Sequence, residues 1–334
     1  MDHDLVFIRN KRHLPQAKNL QPGLCNYPSK VINIDSAGRI FVCLCEAWLP
    51  YSIGHVMEFE TLEQVFDHPQ TINIQQSQQQ GQYQYCDTES CNLMYEKRIQ
   101  DTIQIYIGID DSCQLSCASC RSQVLIEKNN AHKLAWIDRI TSWLANTKAP
   151  KVDVLIGSRG DPFASPLYRK ILAELGHLQL DSRIEFQLKT NGLLIQRYLA
   201  ELDILPKINQ LEISIDAGTE NTYHMVRQPA KWSVLLDNLE YCLHLRQTQH
   251  AFPIRANFVV QKNNFKEMLA FVELCRKYIM IPNFTVLQDW NTFVYKDHAV
   301  HLQSHPQHKD FIHMIQHQEI KPFIGRKFDH WHKS

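Results

Sequence analysis

The chain has 334 residues, and its 35 Lys+Arg are balanced by 35 Asp+Glu. That length predicts one large domain with a sizeable core plus a small one. Balanced charge without a basic stretch gives no footing for nucleic-acid binding, and no apolar run approaches a membrane span.

The opening stretch, MDHDLVFIRNKRHLP, lacks the apolar core of a signal peptide, so the expected compartment is the cytoplasm. Of ten cysteines, eight lie between Cys25 and Cys120, and only Cys242 and Cys275 lie beyond. A disulfide framework suits small secreted domains; clustered cysteines in a chain of this size read as metal ligands in a reducing cytosol.

Residues 1–24 are polar and basic and carry no usable motif. From Cys25 the spacing is C-x12-G-x4-C, with Gly38 inside it and Cys43 at its end. Between them, residues 31–35 and 39–42 predict two strands joined by Ser36-Ala37-Gly38, a hairpin whose glycine supplies positive φ. Cys45 follows, then Ile53-Gly54, and Thr61 is the expected N-cap of a short helix over 61–66. Residues 75–84 are glutamine-rich with no apolar period and read as a solvated loop. Cys86 and Cys91 close the segment.

Next comes the alternating run 102–109, followed directly by Cys113, Cys117 and Cys120 in a C-x3-C-x2-C spacing. Thiolates bind soft metals and iron–sulfur clusters. Structural zinc usually takes four ligands, whereas three thiolates on a cubane leave one iron open to a non-protein ligand, the logic of a catalytic site. Taken alone, the spacing also allows a zinc knuckle or three buried thiols.

From residue 102 strands and helices alternate. Strands are expected at 103–109, 152–156, 184–190, 211–216, 254–261 and 284–287, with amphipathic helices over 134–145, 167–178 and 265–274. Six β–α alternations predict α/β architecture with a parallel sheet, in which chemistry gathers at the carboxyl ends of strands. That rim is loaded with polar residues. Strand one runs into the cysteine loop, and strand two into Gly157, Ser158, Arg159, Gly160, Asp161 and Pro162. Thr190, Asn191 and Gly192 follow strand three, and Ser214 and Asp216 mark strand four. Strand five ends in Gln261, Lys262 and Asn263, and strand six in Gln288, Asp289 and Trp290. The tail is rich in histidine, including His298, His301, His305, His308, His313, His317, His330 and His332. Without a fixed metal spacing these read as surface residues, and Phe311, Met314 and Ile315 predict one short helix.

The C-x3-C-x2-C loop after a first strand resembles the radical S-adenosylmethionine (SAM) enzymes. The resemblance implies a partial (β/α)6 TIM-like barrel at 98–295, preceded by a cysteine-rich α+β domain at 1–97 and followed by an extension at 296–334. It implies a [4Fe-4S] cluster on Cys113, Cys117 and Cys120, with SAM chelating the open iron. Reduction then cleaves SAM to a 5′-deoxyadenosyl radical that abstracts hydrogen from carbon. Ser119 stands where many members carry an aromatic residue.

Other segments match family positions. Gly160, Asp161 and Pro162 resemble the Gly-Gly-Glu-Pro segment that holds the SAM amino group, with Arg159 in place of the first glycine and Asp in place of Glu. Asn191, Ser214, Asp216 and Arg227 match SAM contacts, Arg227 being placed to pair with the SAM carboxylate, and Gln261 and Asn263 match more weakly. Cys25, Cys43, Cys86 and Cys91 resemble the ligands of a SPASM or Twitch auxiliary domain holding a second [4Fe-4S] cluster, with Cys45 as an alternative ligand. In the best-known relatives that domain follows the barrel; here it precedes it. The implied partners are an electron donor such as flavodoxin or ferredoxin and a peptide, protein or sugar-like substrate, with the auxiliary cluster as a candidate electron acceptor. The competing reading is a zinc-binding interaction protein on an α/β scaffold.

Overall fold

The computed structural model describes residues 20, 22–46, 48–88, 91, 101–128, 130–248, 252–289 and 293–324. Trp290, His330, His332 and most of the motif-free start lie outside them. Among the described residues there are nine strands. The chain divides into two compact units: residues 1–111, 127–160 and 167–186, and residues 112–126, 161–166 and 187–334.

In the first unit, β1 (Val31–Ile34) and β2 (Arg39–Phe41) form the expected antiparallel hairpin, and β3 (Gly54–His55) pairs with β2. Gly38 turns at φ 74°, where a Cβ would collide with the His55 ring, so two constraints select glycine. Strand β1 also pairs in parallel with β4 (Ile103–Ile107), Ile32 opposite Ile105 and Ile34 opposite Ile107. The hairpin and β3 therefore add three strands at the β4 edge. On its other side β4 pairs in parallel with β5 (Val152–Ile156).

Helix α1 (Leu62–Asp67) starts at Thr61 as expected, with a full capping box: Gln64 N–H donates to the Thr61 hydroxyl, and the Gln64 side chain accepts from Thr61 N–H. The first half of the glutamine-rich stretch is not a loop: residues 75–79 belong to α2 (Pro69–Gln79), where Thr71, Ile74, Ser77 and Gln78 are buried, and only 80–84 are turn and loop. Glutamine is a good helix former, and proline at N1 sets the first turn; side-chain bonds replace the missing apolar period. Gln75 Nε2 donates to Pro28 O at 3.1 Å, and Gln78 Nε2 reaches Cys86 Sγ at 3.5 Å. Helix α3 (Leu134–Asn146) buries Trp136, Ile137, Ile140, Trp143 and Leu144, and α4 (Pro166–His177) buries Leu167, Ile171, Leu172 and Leu175.

Strand β6 (Ile184–Thr190) alternates fully: Ile184, Phe186, Leu188 and Thr190 are buried, and Glu185, Gln187 and Lys189 half-buried. The second unit continues with a short α5 (Ile195–Tyr198), β7 (Ile208–Ser214), α6 (Glu220–Val226), α7 (Trp232–Thr248), β8 (Ile254–Val260), α8 (Met268–Lys277) and β9 (Ile281–Val286). Both β7–β8 and β8–β9 are parallel. Phe258, Phe271 and Phe284 form one aromatic cluster, with centroids 4.8–5.6 Å apart. Helices α6 and α7 carry no clear apolar stripe in sequence, and α7 buries Asn238 and Cys242 alongside its leucines.

The tail forms α9 (Tyr295–His298) and the expected short helix, α10 (His308–Ile315), with Phe311 and Ile315 buried. Not all its histidines lie at the surface. His301 and His305 are buried; His301 Nε2 lies 2.9 Å from the Tyr295 hydroxyl, and His305 Nε2 lies 3.2 Å from Asp297 O. Burial first, then His308 and His305, push the His301 pKa down to about 4, so it packs as a neutral ring.

Trp143 ties α3 to the segment before α1. Its indole N–H donates to Phe59 O at 3.0 Å, and Arg139 Nη1 donates to the same carbonyl. Trp143→Ala is expected to cost about 3–5 kcal/mol by emptying a buried aromatic site, read as a lower urea midpoint; an unchanged midpoint would refute this anchoring.

Candidate metal centre

The loop after β4 is fixed by its own backbone. Cys113 N–H donates to Leu125 O (2.7 Å), Ser116 N–H to Gln228 O (2.7 Å) and Cys120 N–H to Cys117 O (2.8 Å). Leu115 is buried beneath it, while Cys113 is half-buried, Cys117 buried and Cys120 exposed. Burial and then Asp161 push the Cys113 thiol up to about 11, with Cys117 contributing. Cys117 is raised by burial, against Arg227, with Asp216 and Cys120 adding to the rise. Cys117 thus lies close enough to raise Cys113, and Cys120 close enough to raise Cys117. Thiols raised this far keep their protons near neutral pH unless cationic iron replaces them, so the donor set fits a thiolate-held cluster.

Asp161 holds the turns around the loop. It is buried; one carboxylate oxygen accepts from Phe163 N–H (3.0 Å) and Ala164 N–H (3.1 Å), the other from the Thr190 hydroxyl (2.8 Å) and Asn191 N–H (2.8 Å). Burial raises its pKa against those four donors. Both oxygens are thus committed to protein partners, and Asp161 acts by shaping two turns. Pro162 beside it is buried. Gly160, in the first unit, turns at φ 64°, while Arg159 pairs with Asp111 (2.8 Å) and Glu46 (3.2 Å).

Asn191 faces the cysteine loop. Its amide and that of Gln114 exchange two hydrogen bonds of 3.1 Å, and Asn191 Nδ2 lies 3.7 Å from Cys113 Sγ. Gly192 turns at φ 86° with Ile213 against the place a Cβ would occupy. Ser214 ends β7, half-buried, and Asp216 lies two residues on, in the left-handed region at φ 59°. Asp216 pairs with Arg227 Nη2 at 2.6 Å; Asp216 is buried and Arg227 half-buried, and Arg227 Nη1 lies 3.8 Å from Cys117 Sγ. Burial opposes the Arg227 charge, but Asp216 and Cys117 hold its pKa above the ordinary value. Its Nε–H is buried without a partner among the described residues. Gln261 and Asn263 share a cleft with Ala118, Ser119, Met225 and His298, and Gln261 Nε2 is buried there without a partner among the described residues.

In the first unit the structure brings Cys25, Cys43, Cys86 and Cys91 together. Burial, then Cys91, Cys86 and Cys25, raise the Cys43 thiol, with a Cys45 backbone N–H opposing. Burial, then Cys25 and Cys91 pressing against a Gln78 hydrogen bond, push Cys86 up to about 12. Among the described residues, no group of three or more His, Cys, Asp or Glu side chains stands arranged to hold a single metal ion.

An α/β core of parallel strands with three cysteines gathered in the loop after β4 defines a candidate iron–sulfur enzyme. The model of the Radical SAM superfamily matches residues 109–275, half of the chain, and the chain belongs to that superfamily. Among solved structures, it is similar to Streptococcus suis SuiB bound to S-adenosylmethionine, at 17% identity and a TM-score of 0.42 over 56% of this chain and 41% of that one. It is also similar to native anSMEcpe with bound AdoMet and Cp18Cys peptide, at 18% identity and a TM-score of 0.40, covering 56% and 51%. The chain thus spans about half or less of the length of these proteins. No curated protein sequence matches it.

Three positioning residues have no sequence signature. Gln114 locks Asn191, and Asn264 Nδ2 donates to both Asp216 O and Val259 O at 2.9 Å. The Glu267 carboxylate accepts from Gly218 N–H, Thr219 N–H and the hydroxyls of Thr219 and Thr222, fastening the start of the helix that ends at Arg227. Asp161→Ala is expected to cost about 3 kcal/mol, the scale for buried groups left unpaired, and Asp161→Asn to recover part of it in urea unfolding. Wild-type stability in the alanine variant would contradict the hub role.

Proposed function

We propose that this chain is a radical SAM enzyme carrying two iron–sulfur clusters, one on Cys113, Cys117 and Cys120 and an auxiliary one on Cys25, Cys43, Cys86 and Cys91. The observation that carries the first is that the loop after β4 holds three cysteines in a backbone frame fixed by Cys113 N–H to Leu125 O, Ser116 N–H to Gln228 O and Cys120 N–H to Cys117 O. Support for the second is that Cys25, Cys86 and Cys91 lie close enough to Cys43 to raise its thiol, and Cys25 and Cys91 close enough to raise Cys86, with Cys45 adjoining through its backbone. The functional division is an auxiliary-cluster segment at 1–97, a catalytic core at 98–295 and an extension at 296–334.

When bound, the first cluster and SAM supply a hydrogen-abstracting radical able to attack carbon positions that acid–base chemistry does not reach. The chain's residues bind and orient. Arg227 Nε–H, buried and unpartnered, is the donor available to the SAM carboxylate. Asp161 fixes the 161–164 and 190–191 turns, so Pro162 and Asn191 contribute through backbone shape and Asn191 also through its amide, while Gly160, in the first unit, contributes the turn just before Asp161 in sequence. Ser214 and Asp216 complete the set. Gln261 and Asn263 offer amide groups in the cleft beside Ser119. Buried Leu115 and Phe163 keep water from the surroundings.

The substrate is a peptide, protein or sugar-like alcohol bearing an unactivated C–H bond. The electron comes from a flavodoxin or ferredoxin in the cytoplasm, and the auxiliary cluster takes an electron from the substrate, an oxidoreductase role.

Anaerobic reconstitution with iron and sulfide tests the reading. Wild-type chain is expected to form 5′-deoxyadenosine from SAM under reductant. Cys113→Ala, Cys117→Ala or Cys120→Ala abolishes that product, while Cys43→Ala with Cys86→Ala lowers iron per chain and leaves it in place. Stoichiometric zinc without SAM binding would instead support the interaction-protein reading.

A further inference from the structure

Two of the three cysteines have side-chain N–H donors aimed at their sulfur. Asn191 Nδ2 lies 3.7 Å from Cys113 Sγ, whose other donor is Leu115 N–H at 3.5 Å, and Arg227 Nη1 lies 3.8 Å from Cys117 Sγ. Neither side chain is free to turn. Asn191 Oδ1 accepts from Leu193 N–H and from Gln114 Nε2, both at 3.1 Å, so the amide orientation is fixed and Nδ2 must be the atom facing sulfur. Arg227 is clamped through Nη2 by Asp216, whose other oxygen accepts from Val259 N–H at 2.7 Å and whose carbonyl is held by Asn264.

We propose that Arg227 and Asn191 are positioning residues that set the reduction potential of the cluster on Cys113, Cys117 and Cys120, by donating N–H bonds to its thiolates. The inference rests on the cluster assignment above. Adding one electron from a low-potential donor increases the negative charge on the cluster sulfurs. A donor fixed against those sulfurs stabilises the reduced state more than the oxidised one, and the potential rises. The guanidinium carries a full charge in a buried site and has the larger effect; Asp216 offsets part of it at longer range from the sulfur. The neutral Asn191 amide has the smaller one. Cys120 is exposed, so its tuning falls to solvent.

The test is an EPR-monitored redox titration of the reconstituted full-length chain, following the signal that SAM perturbs. Arg227→Met is expected to move the midpoint to more negative potential, and Asn191→Leu to move it the same way by less. Arg227→Lys keeps the charge but loses the fork, so it falls between wild type and Arg227→Met. Iron and sulfide per chain stay at wild-type levels in Asn191→Leu and Arg227→Lys, which keeps the test independent of cluster loss. Midpoints unchanged in chains that retain the cluster would overturn the proposal while leaving the cluster assignment standing. A SAM-perturbed signal that survives in Cys113→Ala with Cys117→Ala would remove the assignment and the proposal with it.

Discussion

The site depends on one buried carboxylate. Asp161 accepts four hydrogen bonds, two from the turn that follows it and two from Thr190 and Asn191. A buried carboxylate is expensive unless every lone-pair direction is used, and here the donors come from two separate strand ends. Those ends are therefore locked together. Because Asn191 is held through both backbone and side chain, its amide meets Gln114 in a defined orientation, and the loop between Cys113 and Cys117 inherits that order.

The second ionic element works the opposite way. Asp216 sits in a strained left-handed conformation, and its pairing with Arg227 places a permanent positive charge beside Cys117. At Cys113 the leading charge is instead Asp161, which pushes the thiol up against Arg121. The two cysteines thus sit in unequal electrostatic environments, and an iron–sulfur cluster bound to them would be polarised across its own width.

Much of the fold was legible in the sequence. Strict apolar alternation, as in Ile184, Phe186 and Leu188, marks a strand whatever surrounds it, and the cysteine spacing marks the loop. Thr61 announced a capped helix. What escaped were elements held by something other than an apolar stripe. Helix α2 packs through glutamine amides, and α7 buries Asn238, whose amide donates to Leu193 O and Val234 O. His301 and His305 lacked metal spacing but found buried hydrogen-bond partners. In the site, residue type showed that Asp161 mattered but not how. An aspartate after a strand looks the same whether it awaits a ligand or is already surrounded by protein donors, and Gln114 becomes meaningful only once Asn191 is opposite it.

The parallel pairing of β1 with β4 limits how this protein can be taken apart. Residues 31–34 lie about seventy positions upstream of their partners, yet they cover the outer hydrogen-bonding edge of the first core strand. Cutting the chain after the fifth N-terminal cysteine would leave that edge bare, and an uncovered flat edge invites pairing between copies. The cysteine-bearing segment is thus stitched into the sheet by backbone hydrogen bonds. It cannot be exchanged like a cartridge, and changes to its hairpin are felt directly by the strand that delivers the metal loop.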